Sequence, residues 1–566
     1  MNNKTVQLLE QRFDVAFAAP EGVKKLREVI LTLAMQGRLV EQDPNDPPAS
    51  ELLKKIQAEK QRLVKAKKIK KPKPLPPVKP EDMPYELPQG WEWVRLGEIG
   101  IINPRNDAED LTLAGFVPMP LIPEGYSETH QFEERQWGDI KKGYTHFANG
   151  DVGMAKITPC FENAKSCVFS DLPNGIGAGT TELHIFRNTF KAVIARFLLY
   201  YLKNPLNISK AVPNMTGSAG QKRVPTPYFT AQPFPLPPIA EQQRIVAKID
   251  LLMARCDELE KLKKERAEKR LAVHASAIKK LLEEPGAPAW DFLQRHFGEL
   301  YAVKENVTEL REAILQLAVM GRLVPQDPND PPASELLKEI KAEKQRLVRA
   351  GEIKTPKPLP PIAPEEAPYR LPQGWAWTRL GELGHVMGGG TPRKTNPIYW
   401  DGTIPWVSPK DMKVDYMIDT QDHVSPKGIK NSTLKLIPIN AILMVVRGMI
   451  LAHSFPTSLT EATVTINQDM KALCPYVQGS QQYLLFYLKG MKNIFLNLVE
   501  RSTHGTCRLD SKKLFSTIVS LPPLPEQHRI VARINRLMSL CDTLDQQIAA
   551  AEDKQTELLN AVMAKI

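Results

Sequence analysis

Residues 23–100 return at 307–384 without a gap, at a constant offset of 284, with about three-quarters of the positions identical. "GRLVEQDPNDPPASELLKKIQAEKQRLVKA" reappears as "GRLVPQDPNDPPASELLKEIKAEKQRLVRA", and "LPQGWEWVRLGEIG" as "LPQGWAWTRLGELG". A second shared stretch, "LPPIAEQQRIVAKI" at 236–249, returns as "LPPLPEQHRIVARI" at 521–534, and matched residues follow each copy (Cys256, Asp257, Leu259; Cys541, Asp542, Leu544). A chain of 566 residues is too long for one hydrophobic core. Two copies of one plan predict a pseudo-symmetric pair of bodies in one chain, not a solenoid, which wants three or more repeats.

The intervening residues 101–235 and 385–520 are nearly equal in length, yet little of their interiors aligns. The chain keeps two scaffolds alike and lets two inserts diverge. Each copy predicts an amphipathic helix (Leu26, Ile30, Leu33; Leu310, Ile314, Leu317) and a charge-rich helix capped by Ser50 or Ser334. A Pro/Lys-rich spacer expected to be extended ("KPKPLPPVKP", "TPKPLPPIAP"), the variable insert and a long helix follow. The inserts read as small α/β domains. "HFANGDVGMAKI", "CVFSD" and "TELHIF" predict strands separated by turns, whereas "AVIARFLLYYLKN" and "YLLFYLKGMKNIFLNLV" predict buried helices. The expected division is 1–86 (helical region and linker), 87–235 (first insert domain), 236–306 (central helix), 307–370 (repeated helical region and linker), 371–520 (second insert domain) and 521–566 (C-terminal helix).

Pro237-Pro238 and Pro522-Pro523 cannot sit inside a helix and mark where the long helices begin. The first runs from about Glu241 to Glu284, ~65 Å at 1.5 Å per residue. Ile245, Ile249, Leu252, Cys256 and Leu259 keep a heptad frame, as do Ile530, Ile534, Leu537, Cys541, Leu544, Ile548 and Leu558, with Gln555 a polar interruption. Such a seam wants a partner helix. The expected partner is the other copy, packed antiparallel along Ile245, Ile249, Leu252, Leu259, Ile530, Ile534, Leu537 and Leu544; the alternative is burial of each helix on its own domain.

Composition narrows the class. Apolar content of 42% and charged content of 25% suit a soluble globular protein, and runs such as "AVIARFLLYYL" are too short for a membrane span. The N-terminus lacks the pattern of a secretion signal, and the six cysteines include no CxxC pair, so a cytoplasmic protein with inert thiols and no membrane partner is expected. The formal charge of +11 permits a polyanionic partner. "KAKKIKKPK" (65–73) is weighed as a phosphate clamp or a solvated linker face; its copy "RAGEIKTPK" puts Glu352 and Thr355 in place of Lys68 and Lys71, which favours the linker face.

No catalytic centre emerges. "GGGTPRKT" (388–395) nearly spells a phosphate-binding loop, but Arg393 stands where the second required glycine belongs. "GIGAGTT" (175–181) lacks the strand-to-helix setting of a dinucleotide site and is expected to make a turn. "NDPPAS", present twice, is similar to the tetrapeptide with which amino-methyltransferases hold a flipped base, but Ala49 and Ala333 replace the stacking ring; a turn leading into a helix is expected. The ten histidines show no metal-ligand spacing, so no metal and no cofactor are assigned.

The repeated "LPP…EQ…RIV" helix start, the "LPQGWxWxxLGE" approach to each insert, and "GGGTPRKTNPIYWDGTIPWVSPKDMK" (388–413) resemble specificity (S) subunits of Type I restriction–modification systems. The resemblance covers essentially the whole chain. It implies an α+β fold in which two α/β target-recognition domains, each reading half of a split double-stranded DNA target, are joined by two long helices forming an antiparallel coiled coil, with an internal pseudo-two-fold repeat. It further implies two modification (methyltransferase) subunits that use S-adenosylmethionine, restriction subunits that use ATP and magnesium, and no catalysis by this chain.

Each insert ends in a comparable loop, "GSAGQKRV" (217–224) and "THGTCRL" (503–509), in which Gly220 matches Gly505 and Arg223 matches Arg508. Glycine lets a backbone approach a DNA groove and arginine pairs bidentately with guanine, although an ordinary surface loop reads the same way. Loop position and composition select Lys156, Thr158, Gln221, Lys222 and Arg223 in the first insert and Lys410, Arg447, His504 and Arg508 in the second as DNA-contacting candidates. Two rival readings remain: a stand-alone DNA methyltransferase with attached recognition domains, and a scaffold that binds no DNA.

Overall fold

The computed structural model describes residues 17 and 19–564, except 70, 73, 219, 284–286 and 502–505. The chain divides into two compact units, residues 1–266 with 551–566 and residues 267–550. The scaffold of each is built from the duplicated sequence.

In the first unit a scaffold helix, Gly22–Met35, buries Val23, Ile30 and Leu31. A charged helix, Ala49–Lys65, follows. Its N-cap is Pro48, not Ser50: two prolines hold the chain extended up to residue 48, and the Ala49 N–H bonds the Gly90 carbonyl at 2.8 Å, so the serine falls inside the first turn. The second unit repeats this, with Lys304–Val319, Ala333–Arg349, Pro332 as the cap instead of Ser334, and Ala333 bonded to Gly374. "NDPPAS" is thus the predicted turn, held by Asp46 to Arg244 at 2.6 Å and, in the repeat, by Asp330 to Arg529 at 2.6 Å.

The repeated motif residues lock scaffold to long helix. Glu241 is buried and accepts from the Trp91 indole N–H (2.9 Å) and from Gln42 (3.1 Å). Glu526 does the same with Trp375 (3.0 Å) and Gln326 (3.1 Å). Burial raises the Glu526 carboxyl above its ordinary value, and those two hydrogen bonds pull it back. Buried Arg95 donates to the Pro76, Pro77 and Ala231 carbonyls and to Asp82; Arg379 repeats the pattern on Pro360, Pro361, Ser516 and Glu366. Each guanidinium gives the extended proline linker the partners that its own backbone cannot supply.

In the first unit β1 (Glu92–Arg95) pairs antiparallel with β10 (Pro233–Leu236), tying the two ends of the insert together. Between them lie β2 (Ile101–Ile102), β3 (Leu113–Val117), β4 (Glu133–Gln136), β5 (Thr145–Ala148), β6 (Val152–Ala155), β7 (Ser166–Val168), β8 (Ile176–Gly179) and β9 (Leu183–Arg187). They form two four-stranded sheets, β4-β3-β8-β5 and β2-β9-β6-β7. "GIGAGTT" therefore contains strand β8, a correction to the expected turn. Its glycines answer a close approach: a Cβ on Gly177 would lie 2.4 Å from the Phe147 ring, and one on Gly179 2.2 Å from the Val117 carbonyl.

The second insert has β11 (Ala376–Arg379), β12 (Gly384–Gly388), β13 (Ile404–Val407), β14 (Tyr416–Met417), β15 (His423–Val424), β16 (Ile442–Val445), β17 (Thr457–Thr460), β18 (Thr465–Ile466), β19 (Met470–Pro475), β20 (Val499–Arg501), β21 (Cys507–Leu509) and β22 (Ile518–Leu521). β11 pairs with β22 as β1 does with β10; the order β15-β13-β18 repeats β4-β3-β8 without a strand in the place of β5, and β12-β19-β16-β17 repeats β2-β9-β6-β7 with β14 added beside β17. The parallel pair β3–β8 has its counterpart in β13–β18. The helices Ala195–Lys203 and Gln481–Gly490 occupy equivalent places and are mostly buried.

The long helices are Ile239–Glu283 and Leu524–Met563, each starting directly after its Pro-Pro pair. The first begins in the first unit and its residues 267–283 belong to the second; the other begins in the second unit and its residues 551–563 belong to the first. Among the described residues no helix is long and apolar enough to cross a membrane.

Candidate nucleic-acid interface

In each insert the backbone just beyond a central strand is caught by the chain returning from the final loop. After β6, the Thr158 N–H bonds the Lys222 carbonyl (2.9 Å), and the Val224 N–H bonds the Lys156 carbonyl (2.8 Å), making an antiparallel bridge between Ile157 and Arg223. After β16, the Gly448 N–H bonds the Cys507 carbonyl (3.0 Å), and the Leu509 N–H bonds the Val446 carbonyl (2.9 Å), making the same bridge between Arg447 and Arg508. On its other side Arg223 bridges Thr216, and Arg508 pairs with Glu500 in β20–β21. Two unlike sequences thus build one device: a loop whose returning arginine lies between two neighbouring strand segments.

This device gathers the five first-insert candidates. Lys156 and Thr158 lie on one side of the bridge, and Lys222 and Arg223 on the other, with exposed Gln221 at the loop. Thr158 Oγ1 is buried and has no hydrogen-bond partner among the described residues. In the second insert the device brings together exposed Arg447 and Arg508. Lys410 is on another turn, after β13, and pairs with Asp422 at 2.8 Å, which raises its ammonium pKa. His504 lies outside the described residues.

One acid per insert, not anticipated from sequence, shapes the charge at the bridge. Glu182 precedes β9; its carbonyl accepts the Lys156 N–H, and its carboxylate takes the Arg223 fork from Nε (2.9 Å) and Nη2 (2.9 Å). The Arg223 hydrogen bond holds the Glu182 carboxyl below the usual range. Asp469 precedes β19, and its carbonyl accepts the Val446 N–H. Its carboxylate stands 3.9 Å from Arg447. These acids are 287 positions apart, whereas Arg223 and Arg508 are 285 apart and Ile157 and Arg447 are 290 apart. No constant offset could have aligned them; only the strand register does.

The phosphate-loop look-alike dissolves structurally. A Cβ at Gly389 would lie 1.9 Å from the Ile466 carbonyl oxygen and 2.3 Å from that of Asn467, so this glycine packs on acceptors that repel a phosphate. Among the described residues no group of three His, Cys, Asp or Glu is placed to hold a metal ion.

The eight seam residues take the following places. Ile245 and Ile249 are fully buried in a core shared with Val23 and Ile30, and Leu252 and Leu259 pack partly buried against it. Ile530 and Ile534 are buried in the core that holds Ile314 and Val319, with Leu537 and Leu544 partly buried. Ion pairs reinforce both contacts: Arg27 with Asp257 (2.6 Å) and Glu260 (2.9 Å), and Arg311 with Asp545 (2.9 Å) and Asp542. The far ends behave differently. Ala277 and Ile278 share a core with Cys541 and Ile548, while Leu558, Leu559 and Met563 pack with Phe17 and Ala19.

The comparisons with known proteins bear on this architecture. The profile of the Type I restriction modification DNA specificity domain matches twice, at residues 88–269 and 372–552. The chain belongs to the Type I restriction–modification DNA specificity family. Members include the Type I restriction enzyme EcoAI specificity subunit of Escherichia coli, 41% identical over 562 residues (96% of this chain, 93% of that one). The EcoEI specificity subunit of Escherichia coli is 37% identical over 577 residues, with the same coverage. Among solved structures, the HsdS subunit from Thermoanaerobacter tengcongensis aligns over 85% of this chain and 97% of that one, at 20% identity and a TM-score of 0.45. Each family match contains one insert and the first part of the long helix that follows it.

Proposed function

We propose that the chain is the specificity subunit of a Type I restriction–modification complex, in which it performs no catalysis and each insert reads one half of a split double-stranded DNA target. Modification (methyltransferase) subunits using S-adenosylmethionine, and restriction subunits using ATP and magnesium, dock on the duplicated scaffold. The observation that carries this reading is the pairing of two inserts, divergent in sequence, that end in the same basic bridge. Equivalent frames with different side chains suit two readers of different half-targets, while like scaffolds suit two copies of one partner.

The two long helices act as the spacer, an antiparallel pair whose overlap lies in their far halves. The support is the exchange of helix ends: residues 267–283 and 551–563 each belong to the unit in which the opposite long helix begins. A strut of ~65 Å holds two readers one to two DNA turns apart, at roughly 34 Å per turn.

The test is exchange of residues 101–235 for another insert, followed by mapping of genomic methylation in cells that also carry the modification subunit. One half of the methylated sequence changes and the other stays. A change in both halves, or in neither, removes the reading.

A further inference from the structure

The bridge in each insert contains one acid and one returning arginine at equivalent places, yet the pair is closed in one insert and open in the other. In the first, Glu182 holds Arg223 through both Nε and Nη2, at 2.9 Å each, and Arg223 Nη1 donates to the Gln221 carbonyl at 3.0 Å. The guanidinium fork, whose geometry fits the N7 and O6 edge of guanine, is already spent within the protein. In the second, Asp469 is one methylene shorter, and its nearest arginine contact is 3.9 Å, to Arg447. Among the described residues no ion pair or side-chain hydrogen bond engages the Arg508 guanidinium. Asp510, two positions along, accepts the Lys512 and Lys513 N–H groups on one oxygen and feels the Arg508 charge only at a distance, without a hydrogen bond, and Glu500, opposite Arg508, is paired with Lys513. Arg447 and Arg508 therefore face each other across an antiparallel bridge, like charges that repel unless an acceptor lies over both.

We propose that the acid preceding β9 or β19, Glu182 or Asp469, decides whether the returning arginine is offered to DNA. Glu182 withholds Arg223, so the first insert reads with Lys156, Gln221 and Lys222. Asp469 leaves Arg508, beside Arg447, to contact a guanine in the second half-target. Glu182 is a positioning residue, and Arg508 is a specificity-determining one. This rests on the split-target reading above and adds which side chains read.

The test uses the full chain assembled with its modification subunits. Methylation mapping gives the target, insert exchange assigns each half to its insert, and a duplex carrying the mapped sequence serves as the binding probe. Arg508→Ala weakens binding about 10-fold or more, within the range of one lost bidentate contact. On a duplex whose second-half guanines are replaced by 7-deazaguanine, the same substitution costs less than about 3-fold, because the N7 acceptor is already gone. Arg223→Ala changes binding less than about 3-fold. Glu182→Ala and Glu182→Gln, which release Arg223, alter the mapped first half by adding a guanine preference, and Arg223→Ala in the same chain abolishes that change. A second half without guanine, an equal Arg508→Ala loss on both duplexes, or a first half untouched by either Glu182 variant overturns the inference and leaves the split-target reading standing. Failure of the mapped sequence to follow the exchanged insert removes the reading itself.

Discussion

At the scale of single residues, the loop of the first insert is anchored from behind by a histidine. His184 on β9 is fully buried, its Nε2 bonds the Val224 carbonyl at 2.8 Å, and its ring stacks on Phe229 with centroids 4.8 Å apart. Nδ1 has no hydrogen-bond partner among the described residues, so a proton placed there would be buried unsatisfied. Burial lowers the imidazole pKa from its ordinary 6.5 to about 4. For a histidine depressed in this way, the unfolded chain binds the proton first as pH falls. Stability is therefore full above pH 6.5 and is lost as pH drops toward about 4, below which it levels off. The span corresponds to about 3 kcal/mol. Hydrogen exchange at β6 and β9 amides, read at pH 7 and at pH 4.5, measures the loss locally. In His184→Phe, which keeps the stack and removes the titrating group, the acid-dependent part shrinks by about 2 kcal/mol. Equal pH dependence in the variant and the parent would show that His184 is not the titrating group.

At the scale of elements, the two halves of the molecule differ in how far sequence exposes them. The scaffold is legible because its fixed points are side chains. Trp91, Gln42 and Glu241 recur as Trp375, Gln326 and Glu526 because each trio closes one buried carboxylate. The common topology of the inserts is not legible, because ladder bonds are made by N–H and C=O groups that nearly every residue carries. Ile157 can therefore stand where Arg447 stands, and Thr158 where Gly448 stands, without disturbing the bridge. The same reasoning explains why Arg223 and Arg508 were found from their shared loop, whereas Glu182 and Asp469 were not: their role depends on a strand pairing, not on a spacing. Two consequences follow for the scaffold. Trp91→Phe leaves one Glu241 oxygen without its donor and costs about 2 kcal/mol in chemical denaturation, with Glu241→Gln in the same chain recovering part of the loss. A loss below about 0.5 kcal/mol would mean that the carboxylate finds another partner. Arg379→Lys removes the fork that binds Pro360, Pro361 and Glu366 together. Trypsin then cuts the linker at Lys354, which precedes Thr355, several-fold faster than in the parent, and an unchanged rate would assign the linker's order to other contacts.

At the scale of the whole molecule, the long helices carry two burdens along one length. Their first halves are committed to the scaffold: Ile245 and Ile249 lie in a core with Val23 and Ile30, and Ile530 and Ile534 in a core with Ile314 and Val319. Roughly their last thirds belong to the opposite unit, and the change comes at residues 266–267 in one helix and 550–551 in the other. The heptad frame is regular where the scaffold helix is the partner, through Leu259 in one helix and Ile548 in the other, and a second long helix would demand the same apolar spacing. A regular seam thus says that a partner exists and leaves its identity open. The distinction can be tested where the two burdens meet. Four residues inserted after Lys264 lengthen the helix by ~6 Å, about one turn, and so nearly preserve the direction of its apolar face. The scaffold core up to Leu259 is unaffected, so the inserts keep their folds and the bases that they recognise. If the far halves form the spacer, methylation mapping returns the same two half-sequences with a longer gap between them. An unchanged gap would mean that the distance between the readers is set outside these helices, by the scaffold or by the partner subunits, and the ruler would have to be sought there.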